Sequence, residues 1–374
     1  MQGHGPGSRS FESIDALFAN QRAAFAADPC PPHAVRDDRL RRLAGLVERH
    51  AESFAAAIAA DFGARSAFEL RITETMLVLG ALRDARRNLK CWMSARRVPV
   101  APAYRPGRAR LLRQPLGVVG IVSPWNYPLQ LSLMPLIAAL AAGNRAMIKP
   151  SESVPNFAGA LHAAVEAAFS PGEVAVVTGD ADAGRAFCAL PFDHLLFTGS
   201  TAVGREVAVA AARNLTPLTL ELGGKSPVIV DRSCALGDAA LRIAWGKLIN
   251  AGQTCVAPDY ALVPRALVGS FVAATSAAMR RLYPRFRGNP DYTAIIDARH
   301  ASRLGELVAD ALAKGAGAVE VEPGGELHGS AAGDRRLPPI LLLDVDERMR
   351  VMREEIFGPI LPIVPYDDPG EAID

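Results

Sequence analysis

Residues 118–149 read VVGIVSPWNYPLQLSLMPLIAALAAGNRAMIK. The apolar run Val118-Val-Gly-Ile-Val-Ser123 is followed by a turn bounded by Pro124 and Pro128. A helical stretch then reaches about Ala142, and a second apolar run follows, Arg145-Ala-Met-Ile-Lys149. Strands this apolar belong to a sheet covered on both faces, which is the setting of parallel strands joined by crossover helices. The alternation continues downstream. Pro155 to Phe169 reads as a helix, and Val174–Val177, His194–Phe197 and Leu218–Glu221 read as strands, with helices after Asp180 and Ser200. The fold class is therefore α/β with a Rossmann-like parallel sheet.

On the N-terminal side, Phe11–Ala26, Asp37–Asp61 and Ala67–Trp92 carry apolar residues at three- and four-residue spacing and predict helices. Pro99, Pro102 and Pro106 end that pattern, and an extended arm is expected over about 98–115. A second α/β unit begins near Pro227. Helices are expected at about Ala235–Ala251, Arg265–Arg281 and Ala301–Lys314, and strands near Tyr260, Val319 and Leu341 and over Ile360–Tyr366. The domains are thus expected at 1–226, holding the cofactor, and 227–374, holding the catalytic residue. Asp367–Asp374 resembles a helix start with acidic residues in its first turn, so the second domain is expected to continue beyond Asp374.

Composition narrows the function. Half of the 374 residues are hydrophobic and 21% are charged, an ordinary globular balance. A net charge of +2 without a long basic run argues against a dedicated nucleic-acid binder. Apolar stretches such as Leu129–Ala142 are too short for membrane spans, and the polar start Met1–Ser8 lacks a signal core, so a cytoplasmic protein is expected. Five scattered cysteines and seven dispersed histidines show neither a Cys-x-x-Cys pair nor zinc spacing, and no metal is expected. A lone cysteine is usually inert packing, and Cys30, Cys91, Cys188 and Cys234 are read that way.

The dinucleotide fingerprint Gly-x-Gly-x-x-Gly is absent around Gly117 and Gly120. A different glycine turn, Phe197-Thr-Gly199-Ser200-Thr-Ala-Val-Gly204, stands between a strand and a helix. Amides at such a helix N-terminus can hold a pyrophosphate, although glycine and serine are also ordinary helix-start residues.

Six stretches occur in a fixed order: Ser123-Pro-Trp-Asn126-Tyr-Pro, Ile148-Lys149-Pro-Ser-Glu152, Phe197-Thr-Gly-Ser-Thr, Leu220-Glu221-Leu-Gly-Gly-Lys225-Ser-Pro, Gly252-Gln-Thr-Cys255 and Glu354-Glu355-Ile-Phe357-Gly-Pro. In these the sequence resembles the aldehyde dehydrogenase superfamily. The context Gly-Gln-Thr-Cys-Val-Ala-Pro-Asp-Tyr is most similar to its class 3 branch, and especially to the coniferyl aldehyde dehydrogenases. The resemblance implies NAD(P)-dependent oxidation of an aldehyde to its acid, with a small oligomerisation arm and a homodimer in the full-length form.

By the same resemblance Cys255 is the nucleophile that forms a thiohemiacetal and then a thioester. Glu221, at a strand end before two glycines, suits a general base whose raised pKa lets it activate water. Asn126, in a turn between prolines, can donate its amide to a developing oxyanion together with the Cys255 N–H, with Trp125 and Tyr127 as pocket walls. Lys149 and Glu152 are implied to reach the adenosine ribose. A carboxylate there favours NAD and disfavours a 2′-phosphate, a preference weak enough in this branch to leave NADP open. Gly199 and Ser200 face the pyrophosphate. Glu355 holds the nicotinamide ribose, with Phe357 and Trp125 nearby, while Glu354 and Glu355 read alone would be a solvated acidic pair. Lys225 reads as structural. Two competing readings are an acylating enzyme that passes the acyl group to coenzyme A, and a truncated non-catalytic relative.

Overall fold

The computed structural model describes residues 13–322 and 334–373. The polar start at Met1–Ser8, the first residues of the helix expected from Phe11 and the final Asp374 lie outside them. The chain divides into two compact units, one of residues 1–51, 76–124 and 128–221, the other of residues 52–75, 125–127 and 222–374.

The N-terminal helices are α1 (Ile14–Ala27), α2 (His33–Phe62), α3 (Ala67–Leu70) and α4 (Met76–Met93). A π-turn over Arg71–Thr75 separates the last two where one helix was expected. One extra residue in a turn leaves the apolar spacing on either side intact, so periodicity does not reveal it. The arm is a small antiparallel ribbon of β1 (Arg96–Val98) and β2 (Ala109–Leu111), exposed at every position.

In the first unit, β3 (Val118–Ser123), α5 (Pro128–Ala142), β4 (Arg145–Pro150), α6 (Pro155–Ala168), β5 (Val174–Val176), α7 (Ala181–Cys188), β6 (His194–Thr198), α8 (Thr201–Arg213) and β7 (Leu218–Glu221) alternate as expected. The five strands are parallel in the order β5-β4-β3-β6-β7. The chain runs outward from β3 in one direction, then crosses to β6 and runs outward in the other, so the order reverses between β3 and β6. Val118, Ile121, Leu133, Leu136, Leu140, Ile148 and Leu161 are fully buried, each burial contributing about 1.5–3 kcal/mol. The C-terminal carbonyls of α5 need partners, and the buried Arg36 guanidinium donates to Ala142 O at 2.6 Å and Ala141 O at 3.2 Å.

The second unit contains β8 (Pro227–Ile229), α9 (Leu236–Leu248), β9 (Tyr260–Pro264), α10 (Val268–Leu282), α11 (Ala298–Ala313), β10 (Gly317–Glu320), β11 (Ile340–Leu343), α12 (Arg350–Arg353), β12 (Ile360–Tyr366) and α13 (Pro369–Ile373). Its sheet runs β10-β11-β12-β9-β8. All neighbours are parallel except β10 and β11, which pair antiparallel. No helix among the described residues joins those two strands, and without a crossover a strand returns antiparallel. Phe271, Phe286, Tyr292, Leu304, Leu341 and Ile360 fill the core. Helix α9 stops at Leu248, three residues short of the expected Ala251, because the backbone turns left-handed at Asn250.

Candidate active site

The loop that follows α9 is held in an uncommon conformation. Asn250 and Ala251 take φ of 50° and Gly252 takes 75°. Left-handed backbone costs a non-glycine residue about 1–2 kcal/mol, so the surroundings must enforce it. Asn250 is fully buried, and its N–H donates to Glu69 Oε1 at 3.0 Å. Its side-chain amide donates to Asn126 O at 3.0 Å and to Gln253 O at 3.1 Å. Gln253, also fully buried, donates to the carbonyls of Asn250 and Ala294 and accepts the Ile296 N–H. Gly252 must be glycine for a second reason, since a Cβ there would lie 2.4 Å from the Gly358 carbonyl oxygen.

The same network carries Asn126. Its side-chain amide donates to Gln253 O at 3.1 Å, and the Tyr127 hydroxyl lies 2.8 Å from that of Thr254. Asn126 is buried, whereas Cys255, two residues past Gln253, is exposed. All five cysteines are thiols, with no disulfide. Trp125 packs edge-on to Phe357 at 5.4 Å and to His300 at 5.0 Å. Asn126, Cys255, Trp125, Phe357 and Glu355 therefore share one compact unit.

Glu354 and Glu355 are not a matched surface pair. Glu354 bonds Arg350 at 2.8 Å, while the half-buried Glu355 turns toward Gly223. A Cβ on Gly223 would stand 1.9 Å from Glu355 Oε2, and the Gly224 N–H bonds the carboxylate. Burial pushes the Glu355 carboxyl above its usual range; the Gly224 bond opposes this, and the Asp259 charge adds to it. Lys225 locks the segment beneath. It pairs with Asp259 and donates to Val351 O and Glu354 O at 3.0 Å each. Asp259 in turn accepts the Ile356 N–H, and Arg303 donates to the carbonyls of Glu355 and Ile356.

In the first unit the remaining predicted residues gather at the C-terminal edge of the sheet. Lys149, near the end of β4, is buried; its ammonium donates to Pro150 O at 2.7 Å and lies 4.0 Å from Glu152. Burial pushes that ammonium down, with Glu152, Cys188 and Asp180 opposing. Cys188 is itself pushed up to about 11, mainly by burial. Ser200 caps α8 by accepting the Val203 N–H, and Gly199 N–H donates to Glu221 O at 3.0 Å. Glu221 ends β7, where it and Leu220 are exposed. No group of three or more His, Cys, Asp or Glu side chains among the described residues is placed to hold a metal ion. No helix among them is long and apolar enough to cross a membrane.

The model of the aldehyde dehydrogenase family matches residues 8–374. The chain belongs to the aldehyde dehydrogenase family. It is 48% identical over 365 residues to the probable coniferyl aldehyde dehydrogenase of Pseudomonas aeruginosa, covering 98% of this chain and 75% of that one. The substrate-bound structure of Staphylococcus aureus AldH superposes with a TM-score of 0.90 at 36% identity, over 97% of this chain and 77% of that chain. An indole-3-acetaldehyde dehydrogenase of P. syringae, in complex with NAD+, superposes at 0.84 with 26% identity, over 96% and 73%. This dehydrogenase oxidises an aldehyde with a nicotinamide cofactor, and neither acyl transfer to coenzyme A nor a non-catalytic role is favoured.

Arg65, Glu69, Asn250, Asp259 and Arg303 join the site without having been expected there. Asn250 had a signal, because asparagine is the non-glycine residue most at ease in left-handed backbone and it precedes Gly252 by two. The others are distant in sequence from what they hold and carried none.

Proposed function

We propose that Cys255 is the nucleophile of this aldehyde oxidation, that Asn126 and the Cys255 N–H receive the oxyanion, and that Glu221 activates the water that releases the acid. The observation that carries the reading is the bond from the Asn126 amide to Gln253 O, 3.1 Å, within the loop that presents Cys255. It orients one hydrogen of that amide and directs the second N–H to an incoming carbonyl oxygen. The thiolate adds to the aldehyde carbon, the oxygen takes up charge, and the pair of donors stabilises it. A bound nicotinamide supplies the hydride acceptor for this oxidation. The thioester left on Cys255 is then cleaved by water, whose proton Glu221 accepts.

The residues present fit that cofactor. Gly223 leaves a cradle that a methyl group would fill, bordered by the Glu355 carboxylate suited to a ribose hydroxyl. Gly199 and the exposed Ser200 stand at the N-terminus of the thirteen-residue α8, beside the strand-order reversal where α/β sheets bind nucleotides. Lys149 and Glu152 are the adenosine-ribose ligands, and the exposed Glu152 carboxylate favours NAD over NADP. Trp125 and Phe357 wall the nicotinamide end. Residues 1–226 hold the cofactor and 227–374 the nucleophile. The likeness to a probable coniferyl aldehyde dehydrogenase supports an aromatic aldehyde such as coniferaldehyde as the substrate, in a cytoplasmic homodimer built through the exposed β1–β2 ribbon.

The test is NAD(P)H formation over a panel of aldehydes with NAD and NADP, with Cys255→Ala as control. Loss of turnover with aromatic aldehydes in that variant is expected; full oxidation by Cys255→Ala rejects the mechanism.

A further inference from the structure

Arg65 is wholly buried, its guanidinium lying 4.7 Å from the Phe62 ring and 4.9 Å from the Tyr127 ring. Two carboxylates face it, Glu69 at 3.7 Å and Glu74 at 3.6 Å. Neither is at hydrogen-bonding distance. The shortest polar contact is instead from Nη1 to the Asn126 carbonyl oxygen, 2.8 Å, while Nε and Nη2 make no hydrogen bond among the described residues. A guanidinium kept only to balance carboxylates would meet them edge to edge in paired bonds. This one is aimed at a peptide.

The Asn126 carbonyl also takes the Asn250 side-chain amide, and Glu69 takes the Asn250 N–H at 3.0 Å. Arg65, just before α3, thus grips the segment that carries Asn126, and Glu69, within α3, grips the strained segment that leads to Cys255. The arginine stacks on two rings through a rigid plane, which lysine cannot reproduce.

We propose that Arg65 and Glu69 form a positioning pair that sets the Asn126 amide against the Cys255 loop. This rests on the roles proposed above for Asn126 and Cys255, since the pair acts through them and touches neither aldehyde nor cofactor.

The experiment is a double-mutant cycle on the full-length protein. Arg65→Lys is expected to lower kcat about 10-fold while the KM for aldehyde changes by less than about threefold, because small misplacements of a catalytic donor are costly in rate. In an Asn126→Ala background the same change should cost less than about twofold, since its route of action is already gone. An equal loss in both backgrounds, or no loss in either, overturns the proposal. Should Arg65→Lys fail to fold, Glu69→Gln carries the same cycle with the same expectations. Alkylation of Cys255 by iodoacetamide, followed by peptide mass spectrometry, provides a readout free of turnover. If the wild type oxidises no aldehyde, the enzymatic assignment of Asn126 and Cys255 fails and alkylation alone decides. A several-fold slower reaction at Cys255 in Arg65→Lys and Glu69→Gln supports the pair, and an unchanged rate overturns it.

Discussion

Two adjacent glycines offer a sharp perturbation. A Cβ on Gly223 would lie 1.9 Å from Glu355 Oε2 and 2.8 Å from its Cδ, whereas a Cβ on Gly224 meets nothing within 4 Å. Neither glycine has left-handed φ, so alanine strains the backbone at neither position. In Gly223→Ala the Glu355 carboxylate must retreat by about 1.5 Å to reach ordinary contact distance. That retreat draws it away from the Gly224 N–H and from the ribose hydroxyl it is proposed to hold. A hydrogen bond to a charged group is worth about 1.5–3 kcal/mol, so the KM for NAD should rise on the order of 10- to 100-fold. Gly224→Ala keeps its N–H and should behave as wild type. Steady-state kinetics with NAD varied at saturating aldehyde measures both, with Glu355→Ala as the reference for complete loss. Gly223→Ala with a wild-type KM for NAD would refute the role of Glu355, and equal damage in both variants would refute the steric argument.

Other outcomes follow from the same geometry. Asn126→Ala should lower kcat by about 10²–10³ in single-turnover assays, the usual effect of removing one oxyanion donor, and near-normal hydride transfer would exclude it from that role. Glu152→Gln should raise kcat/KM for NADP relative to NAD by only about three- to fivefold, because exposed charges interact by about 1 kcal/mol or less; competition kinetics with both cofactors measures the ratio. Lys247 is fully buried and its ammonium makes no hydrogen bond among the described residues. Burial pushes it down to about 8, with Asp259 opposing. Its folded pKa lies below the unfolded value, so the unfolded chain binds more protons above pH 8 and this group makes stability rise with pH toward about 10. Lys247→Met should abolish that rise, about 3 kcal/mol for a fall from 10.5 to about 8, as read by denaturant unfolding at pH 7 and pH 10. A parallel pH profile in the variant would show that the residue does not titrate there.

The central α/β alternation was legible because its inner strands are short apolar runs separated by stretches of helical length and composition, and both patterns are local. The same locality explains the misreadings. The π-turn at Arg71–Thr75 shifts the helix by one residue without changing which residues are apolar. The α9 helix looked as though it ran to Ala251 because the apolar pattern continues through Ile249 and Ala251, whereas the left-handed backbone at Asn250 is held by bonds to Glu69 and Asn126. The antiparallel β10 depends on the path of a connection, which composition does not encode.

For the site, the sequence by itself determined the chemical repertoire: a thiol at Cys255, an amide at Asn126, carboxylates at Glu221 and Glu355, and glycines beside them. These are covalent facts in a recognisable order. Only the tertiary structure decided their condition. It buries Asn126 while Cys255 stays exposed, separates Glu355 from its neighbour Glu354, and commits Lys225 to Asp259 and two carbonyls. It also recruits Arg65, 61 residues from Asn126, as the donor to its carbonyl. Burial and hydrogen-bond geometry are properties of what surrounds a residue, and the surroundings here come from segments far apart along the chain.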